Sequence, residues 1–178
     1  MFKHSISTNM TTKCSKCINL FCFVCGQFTP KKNPARISPQ ILNGYNWYFG
    51  IDAKEEMSKS WASNVICATR VRYLRAWLNG TKKSMPYAVP MIWLKQTNHV
   101  TDCYFCQTNL IGYSIRTRQK IRHANVKSVT KPAPHTKDMF PPICPPNVGK
   151  EVVSTMSSTT LNAQHAMNFN QKTMDLIY

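Results

Sequence analysis

The chain has 178 residues, with 23 Lys and Arg against seven Asp and Glu, a formal charge of +16. A hydrophobic share of 43% supplies a modest core and excludes a fully disordered chain, and six glycines with eleven prolines exclude a collagen-like one. The longest apolar runs, such as 20–25, fall far short of the roughly 20 residues a membrane span needs, so no membrane partner is expected.

Residues 1–13 read as a polar, disordered lead. Met1-Phe2-Lys3-His4-Ser5 runs into Thr and Asn rather than an apolar stretch, so no secretory signal is expected and the place of action is intracellular, nuclear or cytoplasmic. In that reducing setting the eight cysteines point to metal ligands rather than disulfides. Two CxxC pairs, Cys14/Cys17 and Cys22/Cys25, come first. Pro30, Pro34 and Pro39 with Lys31, Lys32 and Arg36 predict an extended basic loop over 30–40. The aromatic run Tyr45–Gly50 reads as a short strand or buried anchor.

A helix is predicted over about 60–79, capped by Ser60 or Ser63, because Cys67, Val71, Leu74 and Leu78 form one apolar stripe. Asn79-Gly80 ends it in a left-handed cap. Arg70, Arg72 and Arg75 lie off the stripe, and Lys82 and Lys83 follow. Met85–Leu94 holds Pro86 and Pro90 and reads as an extended segment or edge strand. The third CxxC, Cys103/Cys106, precedes the basic stretch Arg116–His123. Six prolines between 129 and 146 make that backbone irregular, and 147–178 reads as a flexible polar tail. Two basic and two acidic residues cancel over 146–178, so all the net charge lies before it. These elements predict a small zinc-stabilised α+β domain over 14–146, with one main amphipathic helix, short strands and irregular Pro-rich segments. A division into two lobes, 14–84 and 85–146, is a further expectation.

A CxxC pair sets two thiolates on one edge of a tetrahedral zinc, and two more ligands must come from elsewhere. His99 lies four residues before Cys103, and Cys103, Cys106, His99 and the downstream His135 have the number and softness that Zn2+ requires. His123 and His135 are 12 residues apart, whereas a ββα DNA-reading finger spaces its histidines about 3–5 apart, so that finger is not expected. Cys22/Cys25 is followed by Gly26, as in a zinc knuckle. Its expected partner is Cys67 at the helix start, with Cys14, Cys17 or water as fourth ligand, because position 70 is Arg70. The opposing reading makes Cys14 and Cys17 loop thiols and Cys67 a core residue. A thioredoxin-type role needs a βαβ context that is missing here.

Several runs together resemble a family of uncharacterised arthropod zinc-binding proteins, often found near mobile elements. They are Phe21-Cys22-Phe23-Val24-Cys25-Gly26-Gln27-Phe28-Thr29, Tyr48-Phe49-Gly50, Trp61 with Cys67, Tyr73-Leu74-Arg75-Ala76-Trp77, Pro90-Met91-Ile92-Trp93, Asn98-His99 with Asp102-Cys103-Tyr104-Phe105-Cys106, and Pro132-Ala133-Pro134-His135. The resemblance covers about 13–146 and implies metal sites rather than a reaction. Members tend to carry Trp-x-Pro-His before the helix and a second cysteine three residues after the first. Here Ser63, Asn64 and Arg70 hold those places, and Cys14 falls where members often carry cysteine. The first zinc site has therefore either weakened or recruited Cys14, and a degenerate, non-functional mobile-element copy is one alternative.

Catalysis is not expected. Of the seven acidic residues only Asp52, Glu55 and Glu56 cluster, and a metal-dependent nuclease needs converging carboxylates. Phosphate-loop, HExxH and GxSxG motifs are missing, and His99 lacks the H-x-E of a zinc deaminase. The expected function is zinc and nucleic-acid binding. Arg70, Arg72, Arg75, Lys82, Lys83, Arg116, Arg118, Lys120 and Arg122 would meet phosphates, and Tyr104 or Tyr113 would stack on unpaired bases. The alternative of another class is a protein-interaction adaptor whose Pro132–Pro146 segment docks in an aromatic groove.

Overall fold

The computed structural model describes residue 14, residues 18–30 and residues 37–144; the expected lead over 1–13, Cys17 and the expected tail over 147–178 lie outside the described residues. The described chain is α+β, with helices α1 (Pro39–Phe49), α2 (Ala53–Ser58), α3 (Ala68–Leu78) and α4 (Tyr104–Gln107), and strands β1 (Ile92–Trp93) and β2 (Val129–Thr130). Short 3₁₀ turns cover Ile18–Leu20 and Arg118–Lys120.

Helix α1 begins at the end of the expected basic loop, whose positions 31–36 lie outside the described residues, and carries the aromatic run that was expected as a short strand or buried anchor. Pro39 occupies the first turn, where its missing N–H has no partner to lose. Gly50 (φ 66°) closes the other end, donating its N–H to Asn46 O at 2.8 Å. Between them Ile41, Tyr45, Tyr48 and Phe49 fall on one buried face at helical spacing. Of the two expectations for the aromatic run, the buried anchor fits and the strand does not, because the spacing and the two end residues decide for helix.

Asp52 caps α2, its carboxylate accepting from the N–H groups of Lys54 and Glu55. Helix α3 starts later than expected, with Cys67 rather than Ser60 or Ser63 at its N-cap. Ser63 is buried, donates to Phe21 O and accepts from the Val65 N–H, so it ties two loops together instead of capping. The stripe of Val71, Leu74 and Leu78, joined by Trp77, is buried, and Gly80 (φ 69°) ends the helix left-handed. Gly44 of α1 faces Leu78 of α3, where a Cβ would come within 2.7 Å of Leu78 Cδ1, so the two helices cross at the glycine.

The sheet is antiparallel, pairing Ile92 with Thr130 and Trp93 with Val129. Val89 pairs with Ala133 in the same register. Pro90 and Pro132 fall between these pairings, and neither has an N–H to offer, which interrupts the ladder. The other side of β1 receives the turn around Cys22 and Cys25. Met91 N–H donates to Val24 O and Trp93 Nε1 to Phe23 O, both at 2.9 Å. One cluster of buried side chains runs from Phe21 to Phe105 and includes residues on both sides of position 84. The segment after β2 lies back on α3, with Trp77 Nε1 donating to Pro142 O at 3.3 Å and the Cys144 thiol to Leu78 O at 3.5 Å. Among the described residues no helix is long and apolar enough to cross a membrane.

Candidate metal centres

Two clusters of soft side chains lie in the molecule. Cys14, His99, Cys103 and Cys106 form one, and Cys22, Cys25 and Cys67 the other; within each, the ligand atoms all lie within 4.8 Å of one another.

The first has four donors. Cys14 Sγ is 3.3 Å from His99 Nδ1 and 3.4 Å from Cys103 Sγ, and His99 Nδ1 is 3.8 Å from Cys106 Sγ. A tetrahedral ion with metal–sulfur bonds of about 2.3 Å needs donor separations near 3.8 Å. These spacings therefore suit a metal ion, while a disulfide, at about 2.05 Å, is excluded between Cys14 and Cys103. Burial pushes the Cys14 thiol well up, reinforced by its hydrogen bond to Cys103. Burial likewise raises Cys103, against the pull of the Cys106 backbone N–H. Without a cation the Cys14 and Cys103 thiols thus favour their protonated form, and a bound ion would displace those protons.

Local chemistry explains why His99 points at the cysteines. Asn98 Oδ1 accepts from Val100 N–H at 2.9 Å and Thr101 N–H at 2.7 Å, an Asx turn that bends the chain directly after the histidine. Asp102 Oδ2 accepts from Thr97 N–H at 2.9 Å and Oδ1 from Ser128 N–H at 3.0 Å, pinning the loop to the segment entering β2. Burial would raise the Asp102 carboxyl, but these N–H donors hold it below its ordinary value. Asn98 and Asp102 are positioning residues. They stand within the Asn-His-x-x-Asp-Cys run, whose turn signal was legible although no role was assigned to it.

The second cluster has three donors, all buried. Cys22 and Cys25 lie in a turn closed by Gly26 N–H donating to Cys22 O at 2.8 Å. Gly26 takes φ 66°, and a Cβ there would sit 2.3 Å from Met91 Sδ, so both its conformation and its surroundings require glycine. Cys67 caps α3, and its N–H donates to Cys22 Sγ at 3.3 Å. Burial drives the Cys22 thiol well up. Hydrogen bonds from Cys22 and then Cys25 hold the Cys67 thiol below its ordinary value. No disulfide occurs among the described cysteines.

Two expected ligands are placed elsewhere. Cys14 belongs with His99, Cys103 and Cys106, not with Cys22, Cys25 and Cys67. His135 stands in neither cluster. Its Nδ1 lies 3.0 Å from Met139 O, and its Nε2 lies 2.8 Å from Tyr48 Oη and 3.2 Å from Met85 O, so the ring proton goes to one of the two carbonyls. Tyr48 Oη in turn accepts from Met85 N–H at 2.8 Å, so His135 ties the Pro-rich segment to α1. Nothing local distinguishes such a histidine from a ligand.

Of the residues expected to meet phosphates, Arg72, Arg75, Lys82, Lys83, Arg116, Lys120 and Arg122 are exposed and Arg118 is half-buried. Arg70 is not on that surface. It is half-buried, its guanidinium stacks 4.6 Å over the Tyr87 ring and Nη2 donates to Tyr87 Oη at 3.0 Å. Tyr104 is 3% exposed, which removes it as a stacking platform for bases, and Tyr113 is half-buried. Comparison of the chain with protein families, with curated proteins and with solved structures finds no match.

Proposed function

We propose that this chain is a zinc-binding domain that holds nucleic acid by its phosphates and carries out no catalysis. The supporting observation is a set of exposed, unneutralised basic side chains on a chain that also carries a four-donor cluster. Seven of the basic residues named above are exposed, and among the described residues the one ion pair is Lys59–Glu56. Uncompensated cations on a rigid support attract a polyanion, and counterion release makes that attraction strong at low salt. Zinc is the ion proposed for Cys14, His99, Cys103 and Cys106 because three sulfurs and one imidazole nitrogen in tetrahedral spacing suit it best. The absence of catalysis rests on the carboxylates, since Asp52 caps a helix and Asp102 holds a loop. The resemblance to arthropod zinc-binding proteins is proposed on the same Asn-His-x-x-Asp-Cys-Tyr-Phe-Cys run.

The test is binding of the zinc-loaded chain to short single- and double-stranded DNA and RNA as salt is raised. The affinity should fall steeply with salt. Changing Arg116, Lys120 and Arg122 together to Gln should flatten the log–log slope by about 2–3 and weaken all sequences alike. No binding at low salt, or an unchanged slope, overturns the reading. A second reading, a protein-interaction adaptor, is favoured by one observation: Phe140 is 74% and Ile143 93% exposed on the Pro-rich segment. Partner binding that ignores salt and is lost on Phe140→Ala would replace the first reading.

A further inference from the structure

Arg70 lies where the spacing from Cys67 would put the second cysteine of a CxxC pair. Its Nε is fully buried and has no hydrogen-bond partner. A buried guanidinium nitrogen without an acceptor is costly, and its neighbours show what acceptor would serve. The Cys25 sulfur lies beside the Arg70 guanidinium. Tyr87 holds the guanidinium through its hydroxyl and its ring, and the Arg70 stem starts in the first turn of α3.

We propose that Cys22, Cys25 and Cys67 bind one thiophilic divalent cation through three thiolates, with Arg70 in the place of a fourth protein ligand and balancing the charge. Among the described residues no fourth His, Cys, Asp or Glu joins this cluster. A buried site is stable only when its charges nearly cancel. Three thiolates and one guanidinium sum to minus two, which a divalent cation neutralises; a monovalent ion leaves a net negative charge and a trivalent one a net positive charge. On binding, each ligating sulfur that still carries a proton releases it to solvent, and the cation takes up three sulfur–metal bonds. Cys25 as a ligated thiolate then offers Arg70 Nε the acceptor it lacks. Two further features favour anionic sulfur here. The N-terminal end of α3, with its partial positive charge, begins at Cys67, and the Cys67 N–H already points at Cys22 Sγ. This centre is distinct from the four-donor cluster, where a histidine completes the set.

The inference rests on the metal-binding reading above but fails separately from it. The full chain is loaded with cadmium-113 alone and followed by cadmium NMR and by competition with a chelator. Two ions per chain and two resonances are expected, and His99→Ala should move only one, which assigns the four-donor centre. Arg70→Met, which keeps the stem but not the charge, should weaken the other ion at least tenfold. Arg70→Lys should recover most of that loss, and Arg70→Cys should shift the same resonance as a fourth sulfur arrives. Loss of the His99-sensitive resonance alone would sink the four-donor reading and leave this one standing. A single resonance insensitive to the three Arg70 changes, or undiminished affinity in Arg70→Met, overturns the proposal. So does Cys17→Ser moving the resonance assigned to Cys22, Cys25 and Cys67. Should Arg70→Met fail to fold, Arg70→Cys decides: an unmoved resonance in that variant is equally fatal.

Discussion

The phenol of Tyr104 donates to the carbonyl of Gly26 at 3.0 Å and thereby joins the two cysteine clusters. Tyr104 stands between Cys103 and Cys106, and Gly26 directly follows Cys25. Around this bond pack Phe21, 5.4 Å from the Tyr104 ring, and Trp93, 5.5 Å from it and stacked on Phe105 at 5.1 Å. The two centres are therefore supported by one aromatic layer, so that loss of order at either reaches the other through rigid contacts.

Removing that hydroxyl isolates its contribution. Tyr104→Phe keeps the ring packing but leaves Gly26 O and His123 Nδ1 without a partner in the interior. The expected cost is about 1–3 kcal/mol. Urea denaturation of the metal-loaded chain measures it; an unchanged midpoint would mean that water replaces the phenol.

Gly26→Ala should destabilise more than Gly80→Ala. Both glycines hold positive φ, which costs an L-residue about 1–2 kcal/mol. At Gly26 the new Cβ also collides with Met91 Sδ at 2.3 Å and Tyr104 Oη at 2.9 Å, whereas at Gly80 nothing lies within 4 Å. The difference between the two midpoints reads the collision alone.

His123 makes the fold sensitive to acid. Tyr104 gives its one hydrogen to Gly26, so the contact at 2.8 Å must be His123 Nδ1–H donating to Tyr104 Oη. Nε2 is then a buried lone pair without a partner. Burial, and next the Lys131 charge, push the imidazole below its ordinary value of 6.5. The unfolded chain takes up a proton there that the folded chain refuses. Stability is therefore complete above about pH 6.5 and falls as pH drops below it, by up to about 1.4 kcal/mol per unit. Metal ligands also titrate, so the quantity to measure is the difference between wild type and His123→Gln at pH 7.5 and 5.5 in saturating zinc. The variant should show the shallower decline.

Metal content separates ligand from structural histidine. His99→Ala should lower the zinc bound per chain by one, because its Nδ1 faces three sulfurs. His135→Ala should leave zinc content unchanged while lowering stability by about 1–3 kcal/mol, since Tyr48 Oη and the neighbouring backbone carbonyls lose their contacts with the imidazole. Elemental analysis and denaturation on the same samples check both.

The parts of this molecule that depend on neighbours three or four residues apart were readable from the chain alone. The pairs Cys22/Cys25 and Cys103/Cys106 each stay within one cluster, and His99 joins the pair next to it, because a turn between them is short and has its own signals in Gly26, Asn98 and Asp102. The stripe of α3 and its end at Gly80 follow from the 3.6-residue period and from the freedom of glycine. Tertiary structure decided the assignments that need closure of long loops. Cys14 meets His99 across 85 residues and Cys103 across 89, and His135 meets Tyr48 across 87. A CxxC or a lone histidine specifies what it can bind but not which distant partner the chain returns to it. That choice falls to the pairing of the chain around β1 with that around β2, to the docking of the Cys22–Gly26 turn on β1, and to the burial of one aromatic layer, all of which sum many weak contacts over the whole fold.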